Sequence, residues 1–290
     1  MSGAVGARDR SRLLTVAGGQ GLRLFVSDTG PADDPLPRLW LHELLLCGHE
    51  FGAVVELADE RRRELVLDLP GAGESDRPPP AEVRDYELSW LALVVASALD
   101  AMAVPRVELV GHGVGALVGM ALAVLRPDAV VRLVAITPPF GELALAHERR
   151  LAALPGIGEV AFVRGYRAAD LRRTLTSWRS GAATLDELAA SVYWDRLGRD
   201  GGLAAARAML LQLSRVPALA GAFAAVPTPT LLVGAQHDVA LVPGDSARWH
   251  EALPRAQRCE LACGHAVPEQ CPRELLAAID AFAGSTAEAR

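Results

Sequence analysis

The sequence contains no lysine: all 29 of its Lys and Arg positions are arginines. Without lysine, the side chains cannot form a Schiff base with a carbonyl substrate, because that chemistry needs a primary amine. The 35 acidic residues bring the net charge to −6, so the chain also lacks the basic surplus that neutralises nucleic-acid phosphates. We therefore expect neither a Schiff-base enzyme nor a nucleic-acid-binding protein.

Cysteine is scarce, and long apolar runs are missing. The four cysteines show no CxxC pair and no zinc-ligand spacing, so we expect reduced thiols and no metal site. The longest apolar runs, Leu88–Leu99 and Val114–Leu125, are shorter than the roughly 20 residues that cross a bilayer. The segment Met1–Arg12 carries arginines without an apolar stretch of signal-peptide length behind them. These absences predict a cytoplasmic protein that does not interact with membranes.

Short runs of leucine and β-branched residues alternate with stretches of helical periodicity, which is typical of parallel βα units. With 290 residues and 51% hydrophobic content, the chain is long enough to bury one sizeable core. We predict an α/β fold with a mostly parallel eight-stranded sheet flanked by helices. The predicted strands are Leu13–Val16, Leu22–Ser27, Leu39–His42, Leu65–Asp68, Val107–Val110, Val131–Ile136, Thr230–Val233 and Arg258–Leu261, and the predicted helices are Tyr86–Met102, Val114–Leu125 and Glu269–Phe282.

Residues 141–226 interrupt this alternation, because they are rich in Ala, Leu and Arg and have only helical periodicity. We predict a helical cap here, inserted into a core formed by residues 1–140 and 227–290. The segment has eleven arginines against eight acidic residues. This excess suits an anionic substrate, but it is also typical of a solvated surface.

The segment Val107–Ala116 reads VELVGHGVGA, a strand that runs into a glycine-flanked turn and then a helix. It resembles the nucleophile elbow GxSxG of the α/β-hydrolase fold, whose central residue projects over the sheet edge. Gly113 occupies the central position, so the turn lacks a nucleophilic side chain. Its glycines lack the GxGxxG spacing of a dinucleotide site, and we expect no cofactor.

Four further segments match the same family in chain order: an oxyanion loop (Leu41–Phe51), a DxPGxGxSDxP turn (Asp68–Pro78), an acid loop (Gly234–Asp238) and a histidine loop (Cys263–His265). The chain therefore resembles the α/β-hydrolase fold superfamily, as an atypical member that lacks the nucleophile serine.

The resemblance implies that His265 and Asp238 form a catalytic pair, in which the carboxylate stabilises the protonated imidazole. Such a pair can serve as a general base whether or not a serine is present. Asp100, Glu142 and Asp245 are the alternatives for the acid.

The elbow and the oxyanion loop supply the candidate substrate contacts. Val114 keeps a backbone N–H for an oxyanion, and the missing serine side chain leaves room beside Gly113. His42 is expected to organise the oxyanion loop. His112 occupies the variable position of the elbow, where packing is favoured over catalysis. Glu43 stands where the family has glycine, and it is either a second proton carrier or part of an outward salt bridge. The predicted substrate-binding residues are Gly113, Val114, His42, Glu43, Leu44 and His112.

The lost nucleophile and the bacterial-looking composition are also similar to a serine-less α/β-hydrolase-like protein of the bottromycin pathway, a peptide aspartate epimerase. This resemblance implies proton transfer on a small-molecule or peptide substrate between cap and core. We predict an epimerase or isomerase acting on a modified peptide or another natural-product intermediate. Two alternatives remain: an inactive hydrolase relative that binds a small molecule or peptide, and a hydrolase in which His265 activates water directly. The sequence does not set the oligomeric state.

Overall fold

The computed structural model describes residues 10–17, 21–82, 84–141, 143–144, 146–154, 157–181 and 184–288, which leaves most of Met1–Arg12 outside the described part. The strands are β1 (Arg12–Val16), β2 (Leu22–Thr29), β3 (Arg38–Leu41), β4 (Glu64–Leu67), β5 (Val107–His112), β6 (Val130–Ile136), β7 (Thr230–Ala235) and β8 (Gln257–Leu261). They form one sheet in the order β1-β2-β4-β3-β5-β6-β7-β8.

The sheet is antiparallel at β1–β2 and β2–β4 and parallel in all its other pairings. This confirms the predicted α/β fold with a mostly parallel eight-stranded sheet. Chain order reverses at β3, which pairs with β4 on one side and with β5 on the other. Such a reversal opens a crevice at the carboxyl ends of the strands, where ligands bind in open α/β sheets.

Both faces of the sheet are covered, which explains why its strands are apolar throughout. Successive side chains of a strand point to opposite faces. Leu39 and Leu41 accordingly belong to one hydrophobic cluster, together with residues of α2 (Leu88–Ala101) and α3 (Val114–Leu125). Trp40 belongs to a second cluster, on the face covered by α1 (Gly52–Val55) and α12 (Pro272–Glu288).

The predicted helices are present, with one correction. The segment predicted as a single helix, Glu269–Phe282, contains the end of α11 (Val267–Gln270) and most of α12. The two helices are separated at Cys271, since Pro272 has no backbone N–H and suits the first position of a helix. All four cysteines lie in the described part and are free thiols.

The segment between β6 and β7 is helical in its described residues, which contain no strand and one isolated pairing of Leu143 with Leu241. None of the helices in the described ranges is long and apolar enough to cross a membrane. The helices of this segment are α4 (Ala146–Ala152), α5 (Gly158–Gly165), α6 (Ala168–Ser177), α7 (Glu187–Leu197), α8 (Gly202–Gln212) and α9 (Val216–Ala224), and α10 (Asp245–Ala252) follows β7.

Candidate active site

The turn between β5 and α3 is built around glycines. Gly113 has φ +50° and ψ −111°, a conformation that favours glycine. A Cβ at Gly115 would lie only 2.0 Å from the carbonyl oxygen of Leu41, so α3 packs directly against the end of β3. This close approach brings the backbone N–H of Val114 next to the loop that follows β3.

The carboxylate of Glu43, on that loop, lies over Gly113. A Cβ built on Gly113 would be 1.4 Å from Oε2 of Glu43 and 2.0 Å from its Cδ. The Glu43 side chain is fully buried, so the expectation of an outward salt bridge is wrong. The expected room beside Gly113 is also absent, because Glu43 takes the volume that an elbow side chain would fill.

The two carboxylate oxygens of Glu43 have different partners. Oε1 accepts hydrogen bonds from the backbone N–H groups of Val114, at 3.0 Å, and Leu44. Oε2 lies 3.1 Å from Nε2 of His265. Converging backbone N–H groups form an oxyanion hole, which stabilises negative charge in acyl-transfer transition states. The chain's own carboxylate therefore fills the oxyanion hole with one oxygen and the nucleophile position with the other.

His265 follows β8, and Asp238 follows β7. Nδ1 of His265 donates to Oδ2 of Asp238 at 2.8 Å. The other oxygen of Asp238 accepts the N–H groups of Ala240 and Leu241 at 2.7 and 3.1 Å, which fixes the carboxylate. Both ring nitrogens of His265 thus face carboxylates, and the three side chains form one continuous Glu43–His265–Asp238 array.

The charges of this array stabilise one another. Burial disfavours the charged form of His265, but Asp238 and Glu43 outweigh burial and raise the pKa of the ring to about 10. Burial also acts against the two carboxylates, yet the positive ring and hydrogen bonds hold the pKa values of Glu43 and Asp238 below their usual range. At neutral pH the array therefore holds an imidazolium between two carboxylates. The two carboxylates therefore favour the protonated form of His265, whereas a general base acts from the neutral form.

Glu50 is a buried site residue that the sequence reasoning missed. Its Oε1 accepts the backbone N–H of Glu43 at 2.8 Å, and its Oε2 lies 2.7 Å from Nδ1 of His112. Nε2 of His112 donates to the backbone carbonyl of His265 at 3.0 Å. Glu50 and His112 thereby connect the Glu43 loop to the His265 loop.

Glu43, His112 and His265 also place their ligand atoms within 4.8 Å of one another, the spacing of a metal site. The hydrogen bonds argue against that role, because His112 directs Nε2 to a carbonyl oxygen and Nδ1 to Glu50. Metal binding would require a free ring nitrogen lone pair. The cluster is arranged as a hydrogen-bond network.

A small cavity of about 20 Å³ lies beside the array, roughly the space that one ordered water molecule needs. Glu43 and Val114 line it. In the described part of the chain, Gly113 and His112 are not among its lining residues, and no arginine is. The lining residues are His42, Glu43, Leu44, Leu45, Leu46, Leu69, Gly71, Ala72, Gly73, Val114, Leu197, Ala206 and Met209.

Several arginines of residues 141–226 form ion pairs outside this cavity. Arg196 and Arg199 pair with Glu74, and Arg179 pairs with Glu269. These pairings leave the expectation of a substrate carboxylate in this pocket without structural support.

The remaining predicted residues fall in varied places. His42 accepts the N–H of Leu69 on Nε2 at 3.0 Å and donates from Nδ1 to the carbonyl of Glu43 at 2.8 Å, so it organises the oxyanion loop. Among the alternative acids, Asp100 pairs with Arg126 and Asp245 accepts the N–H of Phe140. Glu142 lies outside the described residues.

A glycine elbow after β5, faced by a histidine–aspartate pair from the loops after β7 and β8, is the arrangement of an α/β hydrolase. The family model of the alpha/beta hydrolase fold matches residues 41–270, and the chain belongs to this family.

Individual relatives carry several functional names. "Putative carbamate hydrolase RutD" of Klebsiella pneumoniae (strain 342) is 35% identical over 218 residues, covering 71% of this chain and 75% of the relative. The magnesium-chelatase 30 kDa subunit of Rhodobacter capsulatus is 29% identical over 260 residues, 84% of this chain and 85% of the relative. The crystal structure of Cfl2 from Burkholderia cenocepacia superposes with a TM-score of 0.80 at 23% identity, over 96% of both chains. This last likeness concerns the fold alone.

Proposed function

We propose that this chain is an enzyme that moves a proton within its substrate, an isomerase or epimerase, and that the Glu43–His265–Asp238 array carries out the transfer. The observation that carries the proposal is the carboxylate of Glu43, held 3.1 Å from the ring of His265 where an elbow side chain would stand. In this proposal residues 141–226 act as a cap on a core of residues 1–140 and 227–290, and the substrate binds between them.

The array holds each group in the protonation state that proton transfer needs. Glu43 is ionised and can accept a proton from an acidic C–H group, while His265 is protonated and can donate one. Asp238 keeps the ring of His265 oriented. It also stabilises the imidazolium that forms again when Glu43 passes its proton back to the ring. Because these groups are buried, their electrostatic interaction with a developing enolate is stronger than it would be in water.

In this proposal the substrate is small or inserts only one residue, and the cavity beside the array widens to admit the reacting group. Leu44, Leu45, Leu46 and Met209 give it a largely apolar wall. The finer form of the proposal is epimerisation of an aspartate in a modified peptide, as in bottromycin-like biosynthesis, with only the reacting residue inside the pocket.

Hydrolysis, the activity in the name of the RutD relatives, has less support at this site. Gly113 offers no oxygen for an acyl-enzyme, and a protonated His265 does not take a proton from water. A binding protein without turnover needs only the pocket, so the experiment must separate binding from catalysis.

The test is hydrogen exchange in deuterated water. A panel of carbon acids, including peptides with a stereocentre beside a thiazoline, is incubated with the protein, and deuterium at the stereocentre is followed by mass spectrometry. We expect exchange that falls by at least about 100-fold in Glu43→Gln and in His265→Asn. His250→Asn, an exposed histidine on α10, is the matched control and should exchange like the wild type. Ligand binding without any exchange would refute the enzyme and leave the binding protein.

A further inference from the structure

A second cavity lies against the sheet where β2 pairs with β4, on the face that α1 and α12 cover. Phe25 and Ser27 of β2 and Val66 of β4 line it. Because Ser27 is paired with Val66, these side chains point to one face of the sheet. The helix α1 has four residues, so it spans only about 6 Å and leaves space beside it. This space, the β2 cavity, has a volume of about 260 Å³, just below the usual range of about 300–1,000 Å³ for ligand pockets.

The carboxylate of Asp68 forms a negative end of the β2 cavity. Asp68 is only 4% exposed, and its two oxygens accept the backbone N–H groups of Gly48 at 2.7 Å and Glu74 at 2.8 Å. In the described part of the chain, this carboxylate makes no ion pair. Arg77 interacts with it electrostatically, but the hydrogen bonds of Arg77 go to backbone carbonyls. A carboxylate has about four lone-pair sites, so Asp68 can still accept hydrogen bonds from a cation, together with the hydroxyl group of Ser27.

The guanidinium group of Arg196, on α7, forms a positive end. Its Nε lies 3.2 Å from Oε1 of Glu74, and its Nη1 donates to the carbonyl of Val192 at 3.5 Å. Nη2 makes no hydrogen bond within the described ranges. Arg199 pairs with the same Glu74 carboxylate and lies outside the lining of the cavity. Because Arg199 already balances the charge of Glu74, the charge of Arg196 is available to an anionic group.

We propose that the β2 cavity binds a small zwitterion of the α-amino-acid type, with its ammonium group at Asp68 and its carboxylate at Arg196. Glu74 bonds to Asp68 through its backbone N–H and to Arg196 through its side chain, so the two ends lie within the span of one residue. This short span suits a ligand whose opposite charges are separated by a single carbon. Phe25 and Val66 form an apolar wall, which favours an amino acid with an aliphatic side chain.

The two ends together select against ligands with a single charge. An amine without a carboxylate leaves Arg196 without an anion. A carboxylate without an ammonium group gains Arg196 but meets the like charge of Asp68, which disfavours it. The site is separate from the Glu43–His265–Asp238 array, and ligand binding there does not depend on the proposed isomerase activity.

The first test is isothermal titration calorimetry of the full chain with L-leucine and its two singly charged analogues. The compound 3-methylbutylamine lacks the carboxylate of leucine, and 4-methylpentanoate lacks the ammonium group. We expect leucine to bind at least about tenfold more tightly than either analogue, because each analogue loses a set of charge-assisted hydrogen bonds.

Variants place the binding in the β2 cavity. Arg196→Gln should weaken leucine binding at least about tenfold, whereas Arg199→Gln, which also removes one arginine from Glu74, should leave the affinity within about twofold of the wild type. Ser27→Leu should abolish binding by filling the cavity. Thr29→Leu is its matched control, because Thr29 is half-buried on the same strand and the same face and is absent from the described lining.

Three results would overturn the proposal. The first is no heat of binding up to the solubility limit of leucine, and the second is equal affinity for leucine and either analogue. The third is equal affinity of Arg196→Gln and Arg199→Gln for leucine. The arginine pair answers the question even when Ser27→Leu does not fold. None of these measurements involves turnover, so their failure leaves the proposed function intact, and loss of deuterium exchange at the array leaves this site intact.

Discussion

Replacing Gly113 with serine should damage the protein instead of restoring hydrolysis. The new Cβ would lie 1.4 Å from Oε2 of Glu43, so the carboxylate would have to move by about 2 Å to reach a normal contact distance. That movement would separate it from Val114, Leu44 and His265. A buried charge that loses its partners costs about 3–5 kcal/mol, and a serine in the sparsely populated backbone conformation of Gly113 adds about 1–3 kcal/mol.

The double variant Glu43→Gly with Gly113→Ser should behave differently. Removal of the carboxylate leaves the N–H groups of Val114 and Leu44 open to an oxyanion, and the serine hydroxyl would stand next to His265. With only Asp238 beside it, the pKa of His265 falls toward the range of a general base. We expect hydrolysis of p-nitrophenyl acetate at least about 100-fold above the wild type, and recovery of part of the stability lost in the serine variant.

Urea unfolding and ester hydrolysis of the wild type, the two single variants and the double variant form a double-mutant cycle. The stability coupling between positions 43 and 113 should reach about 2–3 kcal/mol in favour of the double variant. Glu43→Gly alone is the control, since it opens the oxyanion hole without adding a nucleophile. Additive stabilities, or a Gly113→Ser variant as stable as the wild type, would show that the carboxylate does not occupy the elbow.

Three other perturbations test the surroundings. The raised pKa of His265 means that the stability contributed by its imidazolium is fully present below the unfolded value of 6.5 and is lost as the pH rises through about 10. The difference in unfolding free energy between wild type and His265→Asn should therefore shrink over that interval, and a constant difference would contradict the charge assignment. Glu50→Gln should lower the unfolding free energy by about 1–3 kcal/mol and slow the reaction through misplacement of Glu43; urea melts and exchange rates measure both, and an unchanged protein would show that the loops do not need this link. Gly115→Ala should cost more than about 3 kcal/mol in the same melts, because its Cβ would meet a β3 carbonyl at 2.0 Å, whereas Gly221→Ala, with nothing within 4 Å, should cost nothing.

The location of the site followed from the sequence, because each motif comes directly after a predicted strand. The loops after β3, β5, β7 and β8 meet at one edge of a parallel sheet, so His265 and Asp238 could be placed together before their distance was known. The choice of Asp238 as the partner of His265, over Asp100, Glu142 and Asp245, came from the family resemblance and not from strand order alone.

The orientation of Glu43 could not be placed in this way. Its direction depends on whether position 113 carries a side chain, and the two positions lie far apart in the sequence and in different motifs. Considered singly, glycine at position 113 removes a nucleophile, and glutamate at position 43 is compatible with either a buried or an outward side chain. Taken as one exchange between facing positions, the two changes would have predicted the buried carboxylate. Glu50 lies inside the oxyanion-loop segment Leu41–Phe51, but nothing in that motif assigns it a role, and its links to Glu43 and His112 appear only in the contacts.

The mutual exclusion of side chains at positions 43 and 113 restricts how a lineage could pass between a serine elbow and this arrangement. If glutamate appeared at position 43 while serine still occupied position 113, its carboxylate would collide with the serine. The same collision would occur if serine appeared at position 113 while Glu43 was still present. A sequence of single substitutions without this collision passes through glycine at both positions. That intermediate has an unoccupied oxyanion hole and no nucleophilic side chain. A relative with glycine at both positions would therefore represent the intermediate between the serine elbow and the buried carboxylate. We expect such a relative to keep the fold without either catalytic arrangement.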